Sequence, residues 1–279
     1  MTYQIRRQLM LPDYHLHTYF SSDSEADPAD IVQTAIDKGI REICFTDHVD
    51  FDYPPEDGTE MFRLDTAAYF KGLSEVKHRF EDQIKIKIGV ECGLNPSIEK
   101  ANRELVRNNP FDFVIGSSHI VDGMDPYYPE FWEGRDIDAA IFRYYEAILR
   151  NVTTYDDYDV YGHLDYIRRY VPDKNYVYVD KKFYDITDMI LKNIIDKGRG
   201  IELNTRGLKN GLTEFIPTIS LIRRYRELGG EIITVGSDAH FAKDMGYGFV
   251  TAKEILVNTG FKYVASFEGR RVSFIPIQK

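Results

Sequence analysis

Six of the seven histidines in this 279-residue chain fall in short motifs that read as strand ends: D-Y-H-L-H-T (13–18), F-T-D-H (45–48), G-S-S-H (116–119), G-H-L-D (162–165) and G-S-D-A-H (236–240). The motif G-V-E-C-G (89–93) sets a lone carboxylate, Glu91, in the same kind of position. Imidazole is the commonest side-chain metal ligand, and carboxylates complete such sites. Gathered at one end of a sheet, these groups build a multinuclear metal centre. The distribution points to a metalloenzyme.

His15 and His17 are two apart on an extended segment, so both side chains face the same way, and Asp13 shares that face as a possible outer support for His15. An isolated pair of this kind reads as a solvated strand end; beside the other motifs it reads as a ligand pair. Asp238 and His240 repeat the spacing. His48, His119 and His163 each close a strand, and Gly116 and Gly162 permit close backbone approach. Asp47 faces away from His48 and reads as structural support. Asp165 either shares the face of His163 or caps the next segment of chain. A buried Glu91 is costly without a cation and suits a bridge between two metals. His78, among Lys77, Arg79 and Glu81, reads as surface.

Arginine is the second theme. I-E-L-N-T-R-G (201–207) sets Glu202, Asn204 and Arg206 on one strand face with Arg206 at its mouth, and D-Y-I-R-R-Y (165–170) comes just after the preceding strand. The planar guanidinium matches phosphate oxygens bidentately. Arg206 and one of Arg168 and Arg169 are therefore candidate phosphate ligands.

The elements that must position these groups alternate in type. Apolar strand candidates fall at 12–17, 42–47, 85–91, 112–118, 159–164, 199–204 and 231–237. Asp27-Pro28 opens a first helix and Lys38-Gly39 closes it; Asp65 caps a second over 66–81. Further helices are expected at 97–107, 136–151, 181–197, 214–228 and 249–258, and a terminal hairpin turns at Glu268-Gly269. Seven such repeats predict an α/β fold, a parallel (β/α) barrel with its active site at the C-terminal ends of the strands. The long aromatic loops 49–64 and 120–135 should overhang that site.

The chain is expected to form a single domain spanning 1–279, since no linker or low-complexity stretch divides it. The first residues, M-T-Y-Q-I-R-R, lack the apolar core of a signal peptide, no apolar run reaches membrane-spanning length, and Cys44 and Cys92 sit in apolar runs as reduced thiols would. A cytoplasmic protein is expected. A net charge of −10 argues against a nucleic-acid partner held by a general basic surface.

As an ordered set running nearly end to end, the motifs resemble the PHP (polymerase and histidinol phosphatase) superfamily, and within it the histidinol-phosphate phosphatase branch. The resemblance implies a distorted seven-stranded TIM-like barrel and three divalent ions, Zn, Mn or Fe. It would assign His15, His17, Glu91 and Asp238 to one ion, His48, His240 and Asp23 to a second, and Glu91, His119 and His163 to a third. Aspartate at position 23, where other members can carry histidine, is the harder ligand. The family's phosphate-binding arginines would fall on Arg206 and on Arg168 or Arg169.

The implied reaction is hydrolysis of a small phosphate monoester, L-histidinol phosphate in histidine biosynthesis, or, as the alternative, a nucleotide or sugar phosphate. Metal ions would bring the pKa of a bridging water to about 7. Uncatalysed monoester hydrolysis is slow enough to require up to ~10²¹-fold acceleration, beyond the ~10²–10⁴ of an acid–base pair alone. Metal-bound water, His240 and Asp238 are all candidates to protonate the leaving alkoxide. Glu202, Asp122, Tyr127, Tyr128, Phe131 and Trp132 are candidates to contact the alcohol. An amidohydrolase would use a similar H-x-H but would need a metal-bridging lysine at a strand tip, and Lys85 and Lys87 precede theirs. A purely metal-binding protein would not require so many open-ended sites.

Overall fold

The computed structural model describes residues 10–277; the N-terminal stretch weighed against a signal peptide lies outside them. Parallel strands β1 (Glu42–Phe45), β2 (His48–Val49), β3 (Lys85–Gly93), β4 (Phe113–Ser117), β5 (Val160–Tyr161), β6 (Gly200–Asn204) and β7 (Ile233–Gly236) form one curled sheet. Its order is β1-β3-β4-β5-β6-β7, with β2 continuing the pairing against β3. Helices α1 (Pro28–Lys38), α2 (Thr66–Arg79), α3 (Glu99–Asn108), α4 (Ile137–Thr154), α5 (Tyr184–Asp196), α6 (Arg206–Lys209), α7 (Ile219–Glu227) and α8 (Phe249–Asn258) alternate with them. The strands are buried almost throughout, as apolar runs covered on both faces must be.

The expected first strand is the main departure. Segment 12–17 is extended but makes only two isolated parallel bridges, Asp13 with Ile43 and Leu16 with Ala239. Its backbone nevertheless bonds on both sides: Cys44 N to Asp13 O (2.8 Å) at one edge, Tyr14 N to Val235 O (2.9 Å) and His17 N to Ala239 O (3.0 Å) at the other. The segment thus joins β1 to β7 and closes the barrel. The ladder is interrupted by side chains on both sides: the Asp13 carboxylate accepts from Ser237 N (2.9 Å) and Ser237 Oγ (2.6 Å), and Leu16 N donates to Thr46 Oγ1 (3.1 Å). Asp13 therefore fastens the closing segment to the exit of β7 instead of orienting the His15 ring.

Local capping explains most helix limits. Asp27 accepts from Ala29 N, Asp65 from Ala68 N and Asp136 from Ala139 N. The helix expected from 214 begins only at Ile219. Ile216 instead exchanges two backbone hydrogen bonds with Asn204, and Thr218 caps α7.

The hairpin β8 (Tyr263–Glu268) and β9 (Arg271–Pro276) plugs the N-terminal end of the barrel. Ala265 and Phe267 pack with Tyr14, Phe113 and Val160, and the Tyr14 hydroxyl donates to Glu42 (2.5 Å) while accepting from Phe267 N (2.8 Å). With that end filled, the opposite mouth is left for chemistry.

Candidate metal centre

Strand register begins the assembly. In the β2–β3 ladder His48 lies beside Glu91, and β3 continues to β4, whose exit carries His119. His15 and His17 arrive on the closing segment, His163 comes after β5, and Asp238 and His240 come after β7. All of them are buried except His48, which is nearly so. His163 and Asp238 adopt φ of 22° and 51°, a conformation that costs non-glycine residues energy and recurs at functional sites.

Glu91 is at the centre, and its two oxygens serve different imidazoles. Oε2 is 2.9 Å from His15 Nε2, 3.1 Å from His48 Nδ1 and 3.5 Å from His17 Nε2. Oε1 is 2.9 Å from His163 Nε2 and 3.3 Å from His119 Nε2. Asp238 Oδ1 approaches His17 Nε2 to 3.5 Å, and Asp23 Oδ2 is 2.7 Å from His240 Nε2 and 3.7 Å from His48 Nε2. The donor atoms form four overlapping triads, each within 4.8 Å: His17–His48–His240, His15–Glu91–His163, His15–His17–Asp238 and His48–Glu91–His119.

Outer partners set ring orientation. Glu202 holds His15 Nδ1 at 2.6 Å and Asp50 holds His119 Nδ1 at 2.8 Å, which turns each Nε2 inward. Ser21 Oγ donates to Asp47 (3.0 Å) and accepts from His48 N (2.9 Å), so His17 Nδ1 (3.3 Å) is the donor toward it. His17 Nε2 is then a free lone pair, buried and without a hydrogen-bond partner. Asp47 is structural, as expected. Gly93 and Gly236 make room: a Cβ would stand 1.8 Å from Asp50 Oδ1 at the first and 2.2 Å from Glu202 Oε1 at the second.

The electrostatics are those of a charge-dense cluster. Burial opposes protonation of His15, but Glu202 and Glu91 outweigh it and hold its pKa well above the ordinary value. Burial is likewise outweighed at His119 by Asp50 and Glu91. His17 is driven well below by burial and by His240 and His48. Burial would raise Glu91 and Asp238, yet both lie well below the carboxylate range, under His15, His48 and His119 in one case and Arg206 and His15 in the other. Buried imidazole nitrogens without partners, at His17 and His48, facing shared carboxylates fit divalent cations.

A cavity of about 470 Å³ opens above the cluster, lined by Asp23, His48, Glu91, His119, His163, Asp238 and His240. Arg169 and Arg206 also line it. Arg206 Nη1 contacts Asp238 O and lies 2.5 Å from His240 Nδ1. Arg169 lies over the rings of Tyr166 and Tyr170, 5.2 Å from each.

Arg168, the other candidate phosphate ligand, turns away. It pairs with Asp165 (2.9 Å), approaches Glu214 (3.7 Å) and stacks on Tyr178. Asp165 is correspondingly structural and also accepts from Thr218 N. Of the groups considered for the alcohol, Glu202 lies beneath His15, Asp122 pairs with Arg143, and Phe131 and Trp132 are buried, with Trp132 Nε1 donating to Pro126 O. Tyr127 and Tyr128 do line the cavity, joined by Tyr53, Glu56, Phe62 and Asp125 from the two overhanging loops. Asp50, Ser21 and Asp125 are site residues that sequence reasoning misses. The spacing of Asp50, two after His48, is the one available signal.

A closed parallel barrel with imidazoles and carboxylates at its C-terminal mouth defines the class. Residues 13–206 match the PHP domain model, and the chain belongs to that family. It is 35% identical to the histidinol-phosphatase of Lactococcus lactis over 93% of this chain and 95% of that protein. It is 32% identical to a Clostridium acetobutylicum protein named probable histidinol-phosphatase, over 95% of this chain and 100% of the other. Among solved structures it resembles the L. lactis histidinol phosphate phosphatase complexed with Zn, L-histidinol and phosphate, with 34% identity, a TM-score of 0.88 and coverage of 95% and 99% of the two chains. No helix among the described residues is long and apolar enough to cross a membrane.

Proposed function

We propose that this chain is a metal-dependent phosphomonoesterase that hydrolyses L-histidinol phosphate to L-histidinol and phosphate. The observation that carries the reading is Glu91, whose two oxygens serve separate imidazole groups at the floor of a cavity lined by two arginines. The substrate is inferred from the histidinol-phosphatases to which the chain is similar along nearly its whole length.

Three ions are proposed, zinc first because the L. lactis structure holds Zn. His15, His17, Glu91 and Asp238 would hold one, Asp23, His48 and His240 a second, and Glu91, His119 and His163 a third. When bound, such ions supply hydroxide from water at neutral pH and neutralise phosphoryl charge. The chain's own part is placement. Arg169 and Arg206 grip the non-reacting phosphate oxygens, while Glu202, Asp50 and Ser21 keep the imidazoles aimed. Because the proposed ligands span 15 to 240, the chain acts as one catalytic domain.

Elemental analysis of the purified protein, with phosphate release from histidinol phosphate, AMP and p-nitrophenyl phosphate, tests this reading. It requires bound divalent metal and the highest kcat/KM for histidinol phosphate. A protein that binds no metal, or prefers AMP, removes it.

A further inference from the structure

Arg169 sits on the helical turn Tyr166–Tyr170 that follows β5, and it lines two cavities. One is the cavity above the imidazole cluster. The other, of about 410 Å³, is also lined by Arg168, Asn210 and Glu214. Of the two, Asn210 lines only the second.

Two kinds of contact hold the Arg169 guanidinium. It lies against the rings of Tyr166 and Tyr170, whose hydroxyls are joined at 2.9 Å. Along its edge stands the side-chain amide of Asn210. A guanidinium carries only N–H donors, so the amide presents its oxygen, which accepts from Arg169 Nη2 and from Nε (3.3 Å). Ring contacts restrain the tilt of a guanidinium but leave it free to turn within its own plane; in-plane hydrogen bonds stop that rotation. With Nε and one N–H of Nη2 engaged, Nη1 and the second N–H of Nη2 are left as a fork for phosphate.

The chemistry of the holding group matters as much as its place. Arg168, its neighbour, is paired with the Asp165 carboxylate at 2.9 Å. Among the described residues no carboxylate forms an ion pair with Arg169. An amide oxygen aims the guanidinium without neutralising it, so its charge stays available to an anion. Asn210 is also tied to the second arginine. It is the C-cap of α6, and its backbone N donates to the carbonyl of Arg206 (3.1 Å), the first residue of that turn. One short helix therefore carries Arg206 at its start and the group that grips Arg169 at its end.

We infer that Asn210 is a positioning residue: it fixes the in-plane orientation of Arg169, and through α6 its spacing from Arg206, for the phosphate of the substrate. The inference rests on the phosphatase reading above and on the place that reading gives Arg169.

The experiment is a double-mutant cycle of Asn210→Ala and Arg169→Ala. It reads KM and kcat for histidinol phosphate and the inhibition constant of inorganic phosphate. Asn210 is exposed, so Asn210→Ala should keep its metal content and thermal midpoint. Loss of hydrogen bonds to a charged group should raise KM and the phosphate inhibition constant together about tenfold, with kcat within about threefold. In the Arg169→Ala background the same substitution should move neither constant by more than about twofold, because no guanidinium is left to position. Asn210→Asp keeps the hydrogen bonds but should also raise the phosphate inhibition constant, since its carboxylate competes with phosphate for the same charge. Equal effects of Asn210→Ala in both backgrounds, or none in either, overturn the inference, as does an Asn210→Asp enzyme with wild-type constants. Should Asn210→Ala fail to fold, Asn210→Asp decides alone. An Arg169→Ala enzyme with wild-type KM removes Arg169 from the phosphate site, and this inference with it, while the phosphomonoesterase reading stands. A wild type inactive on histidinol phosphate overturns the proposed substrate and this inference together.

Discussion

Glu202 Oε1 lies 2.6 Å from His15 Nδ1, and the other oxygen of the same carboxylate accepts from the backbone N of His163 at 3.0 Å. One buried side chain on β6 thereby orients a candidate ligand from the barrel's closing segment and holds a second in its strained backbone conformation. Asn204 extends the link, donating to Glu202 (3.2 Å) and Asp238 (3.3 Å).

Glu202→Gln should therefore weaken metal binding about 10–100-fold, the usual cost of losing an outer-sphere partner. Competition with a zinc chelator measures this, and the visible spectrum of the cobalt-loaded variant should shift as the His15 ring reorients. An unchanged spectrum and affinity would reduce Glu202 to a space-filling role.

Glu91→Ala and His119→Ala remove proposed ligands themselves, so metal content and turnover should fall by more than the about 10–100-fold of an outer-sphere loss. Retention of full metal stoichiometry in either variant rejects its place in the ligand set.

The adjacent arginines should separate cleanly. Arg169→Ala should raise KM with metal content and thermal midpoint unchanged. Arg168→Ala strips Asp165 of its partner at a side chain only 9% exposed, and should cost about 3–5 kcal/mol of stability, read by denaturant melts. The reverse pattern would exchange their roles.

Chelation should lower the thermal midpoint as well as the activity. An ion present at a thousand times its Kd stabilises the native state by about 4 kcal/mol. Calorimetric scans before chelation, after it and after zinc is restored should fall and recover together. A midpoint indifferent to metal would contradict a centre that gathers ligands from so many strands.

Tyr14→Phe probes the plugged end, from the residue just before His15 on the closing segment. It leaves the buried Glu42 carboxylate and Phe267 N short of a partner and should cost about 1–3 kcal/mol with kcat unchanged. A drop in kcat of similar size would mean that the plug and the mouth are coupled.

Strand positions and ligand types are legible in the sequence because both are local properties. Apolar runs bounded by polar strand ends mark β3, β4 and β6 whatever surrounds them, and the H-x-H and D-A-H spacings put two donors on one face before any fold is known. The hairpin and the capped helices α1 and α2 are readable for the same reason. The choice among neighbours is not. Arg168 and Arg169 are adjacent in one turn, and only the packing of Tyr166, Tyr170 and Tyr178 sends one guanidinium to the cavity and the other to Asp165. Asp122 and Asp125 share a loop, and Arg143 on α4 claims the first. Glu202 reads as a group at the mouth, but the approach of His15 allowed by Gly236 makes it a support below the floor. Spacing along the chain dictates which groups share a face; which of them meet is decided by distant elements closing on one another, because a side chain's partner is set by through-space packing.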